Sequence, residues 1–286
     1  MERLAVGPMH VEVIEGQGPY LLLVHGVCSS RAQWRPNLAG LSRFCRPVVV
    51  ELLGHGRSGA PADPEEWRPA AYLRRFEAIR AGIGAERWAT CGQSMGAGLT
   101  LRYALEHPER ILAQAFTNSN SALAPANPAA TDEARRARVA AFEAGGRAAL
   151  EAMPFFPKRT GRLAPEVEDE LVRDAAAITP ASMAETMRST FPELSVADRF
   201  AETAVPTLLV NGVREKAFQR HRDWARSVLP GLDVVDLDGG HPVNLDRPAA
   251  FNAALQAFLA GLGAYEARAH RARRPRPPRR ACAGDD

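Results

Sequence analysis

The sequence predicts an α/β protein in which helices cover both faces of a mostly parallel β-sheet, with a helical cap inserted into the sheet domain. Up to about residue 111, short β-rich runs alternate with helix-like stretches, which is typical of a parallel sheet. From about residue 121 to 203 the chain shows Ala-, Arg- and Glu-rich helical periodicity, and the alternation then resumes. We therefore predict a sheet domain at 1–120 and 204–264, a cap at 121–203 and a tail at 265–286.

Individual elements follow from the hydrophobic pattern. The run at residues 20–24 has no polar alternation, as expected of a central strand buried on both faces. Further strands are predicted at 10–14, 47–51, 88–91, 111–116, 206–210 and 232–237. Helices are predicted at 31–44, 68–82, 95–107, 132–145, 164–177, around 222–228 and at 248–262.

The composition is that of a globular protein of 286 residues, with 46% hydrophobic and 24% charged residues. No apolar run approaches the roughly 18 residues of a membrane-spanning helix, so we expect no membrane partner. The N-terminal residues lack the basic and apolar segments of a secretory signal, which favours a cytoplasmic location. The cysteines show neither C-x-x-C spacing nor neighbouring histidine pairs, so we expect reduced thiols and no metal site. They are Cys28, Cys45, Cys91 and Cys282.

The net charge of +3 arises in the C-terminal tail. Residues 266–286 contain seven arginines and three acidic residues, so they carry +4 and the rest of the chain carries −1. The tail is also rich in proline and poor in apolar residues, which predicts disorder. We interpret it as a solubilising extension in preference to a nucleic-acid-binding arm and expect no nucleic-acid partner.

The segment Gly92-Gln93-Ser94-Met95-Gly96 lies between a predicted strand and a predicted helix. This is the context of a G-x-S-x-G nucleophile elbow, in which a tight turn presents the serine hydroxyl at the edge of the sheet. Small residues on either side of the serine allow the strand and the helix to approach each other. The alternative is a glycine-rich turn with an incidental serine. The strand-turn-helix context favours Ser94 as a nucleophile.

A nucleophilic serine requires a base, and imidazole suits this role near neutral pH. Of the seven histidines, His241 follows the last predicted strand and precedes the last helix, at the same sheet edge as Ser94. The base in turn needs a carboxylate between Ser94 and His241, on the loop after strand 206–210. Glu215 is the only acidic residue of that loop. The alternative for Glu215 is a surface pair with Arg214 or Lys216.

Two backbone N–H groups are needed to stabilise an oxyanion. We expect one from Met95, at the start of the helix after Ser94, and the other from Val27 in the loop after strand 20–24, with Cys28 as the fallback. His25 is interpreted as a structural residue that holds this loop.

These segments together resemble the α/β-hydrolase family, in its capped, single-domain, esterase-like serine hydrolase branch. The resemblance covers about residues 10–262. Its marks are His25-Gly26, the run Glu51-Leu52-Leu53-Gly54-His55-Gly56-Arg57-Ser58, the Gly92 to Gly96 elbow, the run from Pro206 to Gly212, and Gly240-His241. The chain departs from the family pattern at Glu51 and Glu215, where the family usually has aspartate.

The resemblance implies cleavage of a carboxylic ester, lactone or thioester of a modest apolar acyl group, without a cofactor, through an acyl-enzyme on Ser94. The same fold and residues also occur in carbon–carbon bond hydrolases, haloperoxidase-like enzymes and cofactor-free dioxygenases, whereas Ser94 excludes the dehalogenase and epoxide-hydrolase branches, which need aspartate. A non-enzymatic ligand receptor with retained catalytic residues is the alternative from another class. We expect some apolar cap residues to line the substrate pocket, although each could instead belong to the cap core. The candidates are Phe155, Phe156, Met183 and Met187, together with Met153 and Phe191.

Overall fold

A mixed β-sheet forms the centre of the computed structural model, which describes residues 2–125 and 128–262. The predicted tail at 265–286, including Cys282, lies outside the described residues. The strands are β1 (Glu2–Val6), β2 (Met9–Val13), β3 (Tyr20–Val24), β4 (Arg46–Val50), β5 (Trp88–Gly92), β6 (Ile111–Thr117), β7 (Thr207–Gly212) and β8 (Leu232–Leu237). Their spatial order is β1-β2-β4-β3-β5-β6-β7-β8. The pairs β1–β2 and β2–β4 are antiparallel and all the others are parallel, which confirms the predicted mostly parallel sheet.

Helices lie on both faces of this sheet. They are α1 (Arg35–Leu41), α2 (Pro69–Gly82), α3 (Met95–Glu106), α4 (Asn120–Leu123), α5 (Pro128–Glu151), α6 (Pro165–Ala175), α7 (Pro180–Glu185), α8 (Lys216–Val228), α9 (Val243–Asp246) and α10 (Pro248–Ala260). Short 3-10 turns occupy Arg31–Trp34, Pro64–Trp67, Pro108–Arg110, Phe191–Glu193 and Phe200–Glu202, and a π-helical turn spans Thr186–Thr190. None of the helices in the described ranges is both long and apolar enough to cross a membrane.

The central strand β3 shows why both faces are covered. Side chains of successive strand residues point to opposite faces. Leu22 of β3 packs in one cluster with Tyr103 of α3. Leu23, the next residue, packs in another cluster with Trp34 and with Phe251 of α10. Both faces of β3 are therefore buried, as its unbroken apolar sequence predicts.

Some elements differ from the sequence prediction. Strand β1 was not predicted, because two of its five residues are charged and it lies at the edge of the sheet. The predicted helix 31–44 is divided into a 3-10 turn and α1, with Pro36 at the start of α1, where proline favours a new helix. Helix α8 begins at Lys216, six residues before the predicted 222. A proline marks the start of α1, whereas α8 begins without a side-chain capping hydrogen bond, and hydrophobic periodicity detects neither boundary.

The chain between β6 and β7 contains helices and turns in the described ranges, with no strand. Helix α5 is kinked at Gly146, where φ is +54°. Apolar residues of α5 and α7 pack together, including Phe142, Leu150 and Met183, and Cys28 of the loop after β3 joins this cluster. The inserted helices therefore lie over the carboxyl end of β3. The cap boundaries at 121 and 203 stay a prediction.

A buried group of charges joins α6 to the sheet domain. Arg31 Nε lies 3.3 Å from Glu12 Oε1 and 3.7 Å from Glu51 Oε1, and Arg31 Nη2 contacts Glu170 of α6. These three carboxylates are no more than 7% exposed. Burial raises the pKa of Glu51, and the Asp174 carboxylate adds to this effect while Arg31 opposes it. Arg31 therefore compensates several buried acidic groups at once.

We expect Arg31→Met to lower the free energy of unfolding by about 3–5 kcal/mol near neutral pH, because buried carboxylates lose their shared cation. Without Arg31 the pKa of Glu51 rises further. A carboxyl group whose folded-state pKa exceeds its unfolded value destabilises the folded state once it ionises. The deficit relative to wild type should therefore shrink in urea titrations as the pH is lowered from neutral.

The matched control is Arg35→Met, since Arg35 contacts Glu170 alone and is 47% exposed. We expect this control to cost less than about 1 kcal/mol. Equal losses for the two variants, or a deficit for Arg31→Met that does not change with pH, would contradict a compensating role for Arg31.

Candidate active site

Ser94 lies in the turn between β5, which ends at Gly92, and α3, which begins at Met95. Its backbone has φ = 52° and ψ = −115°, a conformation that residues with a side chain rarely adopt. A Cβ atom on Gly92 would collide with the carbonyl oxygen of Gly96, and one on Gly96 would collide with that of Val24. The two flanking glycines are therefore required by the close approach of strand and helix. The geometry is that of the predicted elbow.

His241 and Glu215 are brought into direct contact. His241 Nδ1 lies 2.9 Å from Glu215 Oε2. Glu215 directly precedes α8 and follows β7, while His241 follows β8. Gln93 Nε2 also donates a 3.4 Å hydrogen bond to the His241 backbone oxygen, so the histidine loop is tied to the elbow. The loops after three parallel strands thus meet at one edge of the sheet, as predicted for Ser94, His241 and Glu215.

The Glu215 carboxylate has two further donors that the sequence analysis missed. Asn118 Nδ2 donates to Oε2 and Asn120 Nδ2 donates to Oε1, both at 2.8 Å. Burial raises the pKa of Glu215, but the hydrogen bonds from His241, Asn118 and Asn120 outweigh burial and leave that pKa below its usual value. Glu215 is therefore held as a carboxylate beside the imidazole. The sequence feature that could have indicated these donors is the polar run that directly follows β6, the strand next to β7.

Asn118 also holds the end of β7 in place. Its Oδ1 accepts a 2.8 Å hydrogen bond from the Gly212 N–H, and its Nδ2 donates a 3.0 Å bond to the Gly212 oxygen. Since Gly212 lies three residues before Glu215, this clamp fixes the loop that carries the acid. Within the described residues, the side chain of Asn120 makes no such backbone contact and forms a hydrogen bond with Glu215 alone.

The alternative for Glu215, a surface pair with Arg214 or Lys216, is not observed. Arg214 instead binds Asp238 through two hydrogen bonds of 2.7 and 2.6 Å, and Lys216 Nζ lies 3.4 Å from the Val213 oxygen. Asp238 contacts arginines and not His241.

The backbone N–H groups of Val27 and Met95 have no hydrogen-bond acceptor in the described part of the chain. The N–H of Cys28, the fallback donor, is occupied because it donates a 3.1 Å hydrogen bond to His55 Nε2. Cys28 has φ = 58°, so the loop turns sharply after Val27. The N–H groups of Val27 and Met95 are therefore unpaired, whereas that of Cys28 is not, and the binding of an oxyanion by Val27 and Met95 stays a prediction.

Two buried histidines fix the loops beside the elbow. His25 Nδ1 donates to the Gly26 oxygen at 2.7 Å, and His25 Nε2 accepts from the Leu52 N–H at 3.0 Å. His55 Nδ1 donates to the Leu53 oxygen at 2.9 Å. Burial lowers the pKa of His25 to about 3 and that of His55 to about 4. Both rings are therefore neutral near pH 7 and hold the loops in place through hydrogen bonds to the backbone. This is the structural role expected for His25.

A cavity of about 660 Å³ contains Ser94, Glu215 and His241 in its wall. Of the predicted pocket residues, Phe155, Met187 and Phe191 line it. Phe156, Met183 and Met153 do not line it and pack into the buried cluster of the inserted helices, to which Met187 also belongs. Helical periodicity shows that such residues are buried, but not whether they face a cavity or a core. In the described ranges, no three His, Cys, Asp or Glu side chains are grouped in a way that could hold a metal ion.

Comparisons with known proteins agree with this architecture. A family model described as alpha/beta hydrolase fold matches residues 19–248. Carboxylesterase YbfK of Bacillus subtilis is 23% identical over 246 residues, which cover 85% of this chain and 81% of YbfK. The structure of MenH from S. aureus superposes with a TM-score of 0.76 at 19% identity, covering 89% of this chain and 99% of MenH. An enol-lactonase from Burkholderia xenovorans has a TM-score of 0.70 at 22% identity, covering 91% of this chain and all of that chain. Because the family model matches well over half of its length, the protein belongs to the α/β-hydrolase family.

Proposed function

We propose that the protein is a serine hydrolase that cleaves a carboxylic ester, lactone or thioester through an acyl-enzyme on Ser94. The observation that carries the proposal is the His241–Glu215 hydrogen bond in the wall of the cavity that also contains the strained Ser94. The family and the relative named carboxylesterase support a hydrolase function at the coarser level.

In the proposed reaction, Ser94 Oγ attacks the carbonyl carbon while His241 Nε2 accepts the hydroxyl proton. Nε2 is the nitrogen for this task because Nδ1 is engaged by Glu215. Glu215 holds the ring in the tautomer that can accept a proton at Nε2 and stabilises the imidazolium that forms. The N–H groups of Val27 and Met95 bind the oxyanion.

The tetrahedral adduct then collapses and the bond to the leaving oxygen or sulfur breaks. His241 donates its proton to the leaving group, which leaves the acyl group on Ser94 Oγ. Water, deprotonated by His241, attacks the acyl-enzyme, the bond between the acyl carbon and Ser94 Oγ breaks, and His241 returns the proton to Oγ as the carboxylic acid is released. Phe155, Met187 and Phe191 supply the apolar wall that suits an acyl chain.

The proposal is tested with a panel of 4-nitrophenyl esters, a thioester, an aliphatic lactone and a vinylogous diketone. We expect turnover of the carbonyl–oxygen or carbonyl–sulfur substrates. Cleavage of the diketone alone would instead establish a carbon–carbon bond hydrolase. Saturable binding of panel members without any product would establish the non-enzymatic receptor.

The two asparagines at Glu215 give a matched pair of variants. We expect Asn118→Ala to lower kcat for ester cleavage by about 10- to 100-fold, because the loop that carries Glu215 loses its clamp and shifts. The free energy of unfolding should also fall by about 1–3 kcal/mol, because the Gly212 N–H is left buried without an acceptor. Asn120→Ala should lower kcat while changing the free energy of unfolding by less than about 1 kcal/mol, since Asn120 contacts Glu215 alone.

Urea titration and steady-state kinetics of both variants measure these effects. A normal kcat for Asn118→Ala would show that the clamp does not position Glu215. Equal stability losses in the two variants would show that the Gly212 contact is not the reason for the loss.

A further inference from the structure

Two cationic side chains lie in the cavity wall without an acidic partner. They are Arg138 of α5 and Lys158 of the loop between α5 and α6. Within residues 2–125 and 128–262, neither forms an ion pair or a hydrogen bond. Both are exposed, so each is free to contact a molecule that enters the cavity.

The acidic side chains of the same wall are already engaged. The Glu168 carboxylate accepts hydrogen bonds from the backbone N–H groups of four successive residues, 160–163, and from the Thr160 hydroxyl, at 2.7–3.3 Å. A carboxylate offers about four lone-pair sites, so these five donors leave none for a lysine or arginine. The hydrogen bond from Thr160, with those from the backbone, lowers the pKa of Glu168 to about 2. The carboxylate of Glu215 is likewise engaged, because it contacts the imidazole of His241.

Glu168 also fixes the place of Lys158. By binding the N–H groups of residues 160–163, Glu168 fixes a segment of the same loop that begins two residues after Lys158. Lys158 is thus attached to an anchored segment, while Arg138 is carried by a helix.

The two cations and the candidate catalytic residues come from different parts of the chain but line the same cavity. Arg138 and Lys158 belong to the inserted helices and their loops, whereas Ser94 and His241 lie at the sheet edge. Phe155, of the same loop as Lys158, contributes apolar surface to this wall. The inserted segment thus adds apolar surface and positive charge to the cavity that contains the candidate catalytic residues.

We propose that Arg138 and Lys158 bind a carboxylate of the substrate, so that the preferred substrates are esters, lactones or thioesters with an apolar chain and a second, anionic end. This inference rests on the proposed function and specifies its substrate class. A planar guanidinium matches a carboxylate with two parallel hydrogen bonds, and the lysine adds a point charge.

The test compares the 4-nitrophenyl monoesters of adipic, suberic and sebacic acid with the same 4-nitrophenyl esters whose free carboxylate is methylated. The methylated substrates are neutral and of equal chain length. A second arm places the carboxylate on the alcohol side, with the butyryl ester of 4-hydroxybenzoate against phenyl butyrate. In at least one arm we expect the wild type to favour the carboxylated substrate in kcat/KM. In the double variant Arg138→Gln/Lys158→Gln, the ratio of kcat/KM for the carboxylated substrate to kcat/KM for the neutral one should fall by about tenfold. This is the effect expected from the loss of two exposed charge contacts. The ratio should also fall with added salt, because salt screens exposed charges.

The matched control is Arg136→Gln, because Arg136 is an exposed arginine of the same helix that does not line the cavity. It should retain the wild-type ratio. Equal kcat/KM for charged and neutral substrates in both arms, or a loss in Arg136→Gln as large as in the double variant, would overturn the proposal.

A binding measurement separates this proposal from the proposed function. Calorimetric titration of Ser94→Ala with monomethyl suberate and with neutral dimethyl suberate requires no turnover. We expect tighter binding of the monomethyl ester, and loss of that difference in the Ser94→Ala/Arg138→Gln/Lys158→Gln variant. If the panel shows no ester cleavage but this difference is found, the proposed function fails and the anion site stands. If esters are cleaved and the difference is not found, the anion site fails.

Discussion

Ser94→Ala should lower kcat for ester cleavage by on the order of 10⁴ to 10⁶, the range measured when a nucleophile of this type is removed. The reason is that no acyl-enzyme can form without Oγ, so any residual reaction depends on direct attack by water in the cavity. Initial rates with a 4-nitrophenyl ester measure the effect. A loss of less than about tenfold would indicate another nucleophile.

Two substitutions that differ in backbone strain at Ser94 show whether a loss of activity is caused by a loss of folding. Alanine keeps the strained φ of 52°, so the Ser94→Ala variant should unfold at nearly the wild-type urea concentration. Glycine adopts this conformation without strain, so Ser94→Gly should be inactive but more stable, by about 1–3 kcal/mol. Inactivity that coincides with loss of the folded structure in both variants would remove the evidence for a chemical role of the hydroxyl.

Glu215→Gln should lower kcat by up to about 10⁴ at neutral pH, because the charge that stabilises the His241 imidazolium is removed. A glutamine amide that donates to Nδ1 would also select the tautomer with a proton on Nε2, which cannot accept one from Ser94. The matched control is Asp238→Asn, since Asp238 lies three residues before His241 but pairs with Arg214. We expect the control to keep kcat within about twofold of wild type, as for a surface ion pair.

The stability of Glu215→Gln should depend on pH in a defined direction. The pKa of Glu215 is lowered in the folded state, so ionised Glu215 stabilises the fold above its unfolded pKa of about 4.3. That contribution is lost as pH falls through the folded-state pKa. The difference in unfolding free energy between wild type and Glu215→Gln should therefore be largest near neutral pH and close on the acid side of about pH 4. A near-normal kcat together with a stability difference independent of pH would rule Glu215 out as the acid.

The sequence predicts the sheet and the candidate catalytic residues because these depend on local pattern and chain order. Leu22 and Leu23 belong to an apolar run that requires burial on both faces, and the run at 92–96 requires a tight turn. His241 and Glu215 follow parallel strands, and parallel topology brings such strand ends to one sheet edge.

Residues whose roles depend on tertiary contacts were less accessible to prediction. Asn118 lies 97 positions from Glu215, and the polar run that contains it marks the end of a strand without specifying the partner of each side chain. Phe155 and Phe156 are adjacent and chemically identical, yet one lines the cavity and the other packs into the helical core. Only the packing of the inserted helices distinguishes them.

The central claim, an acyl-enzyme on Ser94, is tested most directly by active-site labelling with a fluorophosphonate followed by peptide mass spectrometry. We predict one adduct per chain on the peptide that contains Ser94, loss of ester cleavage in proportion to labelling, and no adduct on Ser94→Ala. Stoichiometric labelling of another residue, or full activity after complete modification of Ser94, would contradict the serine mechanism.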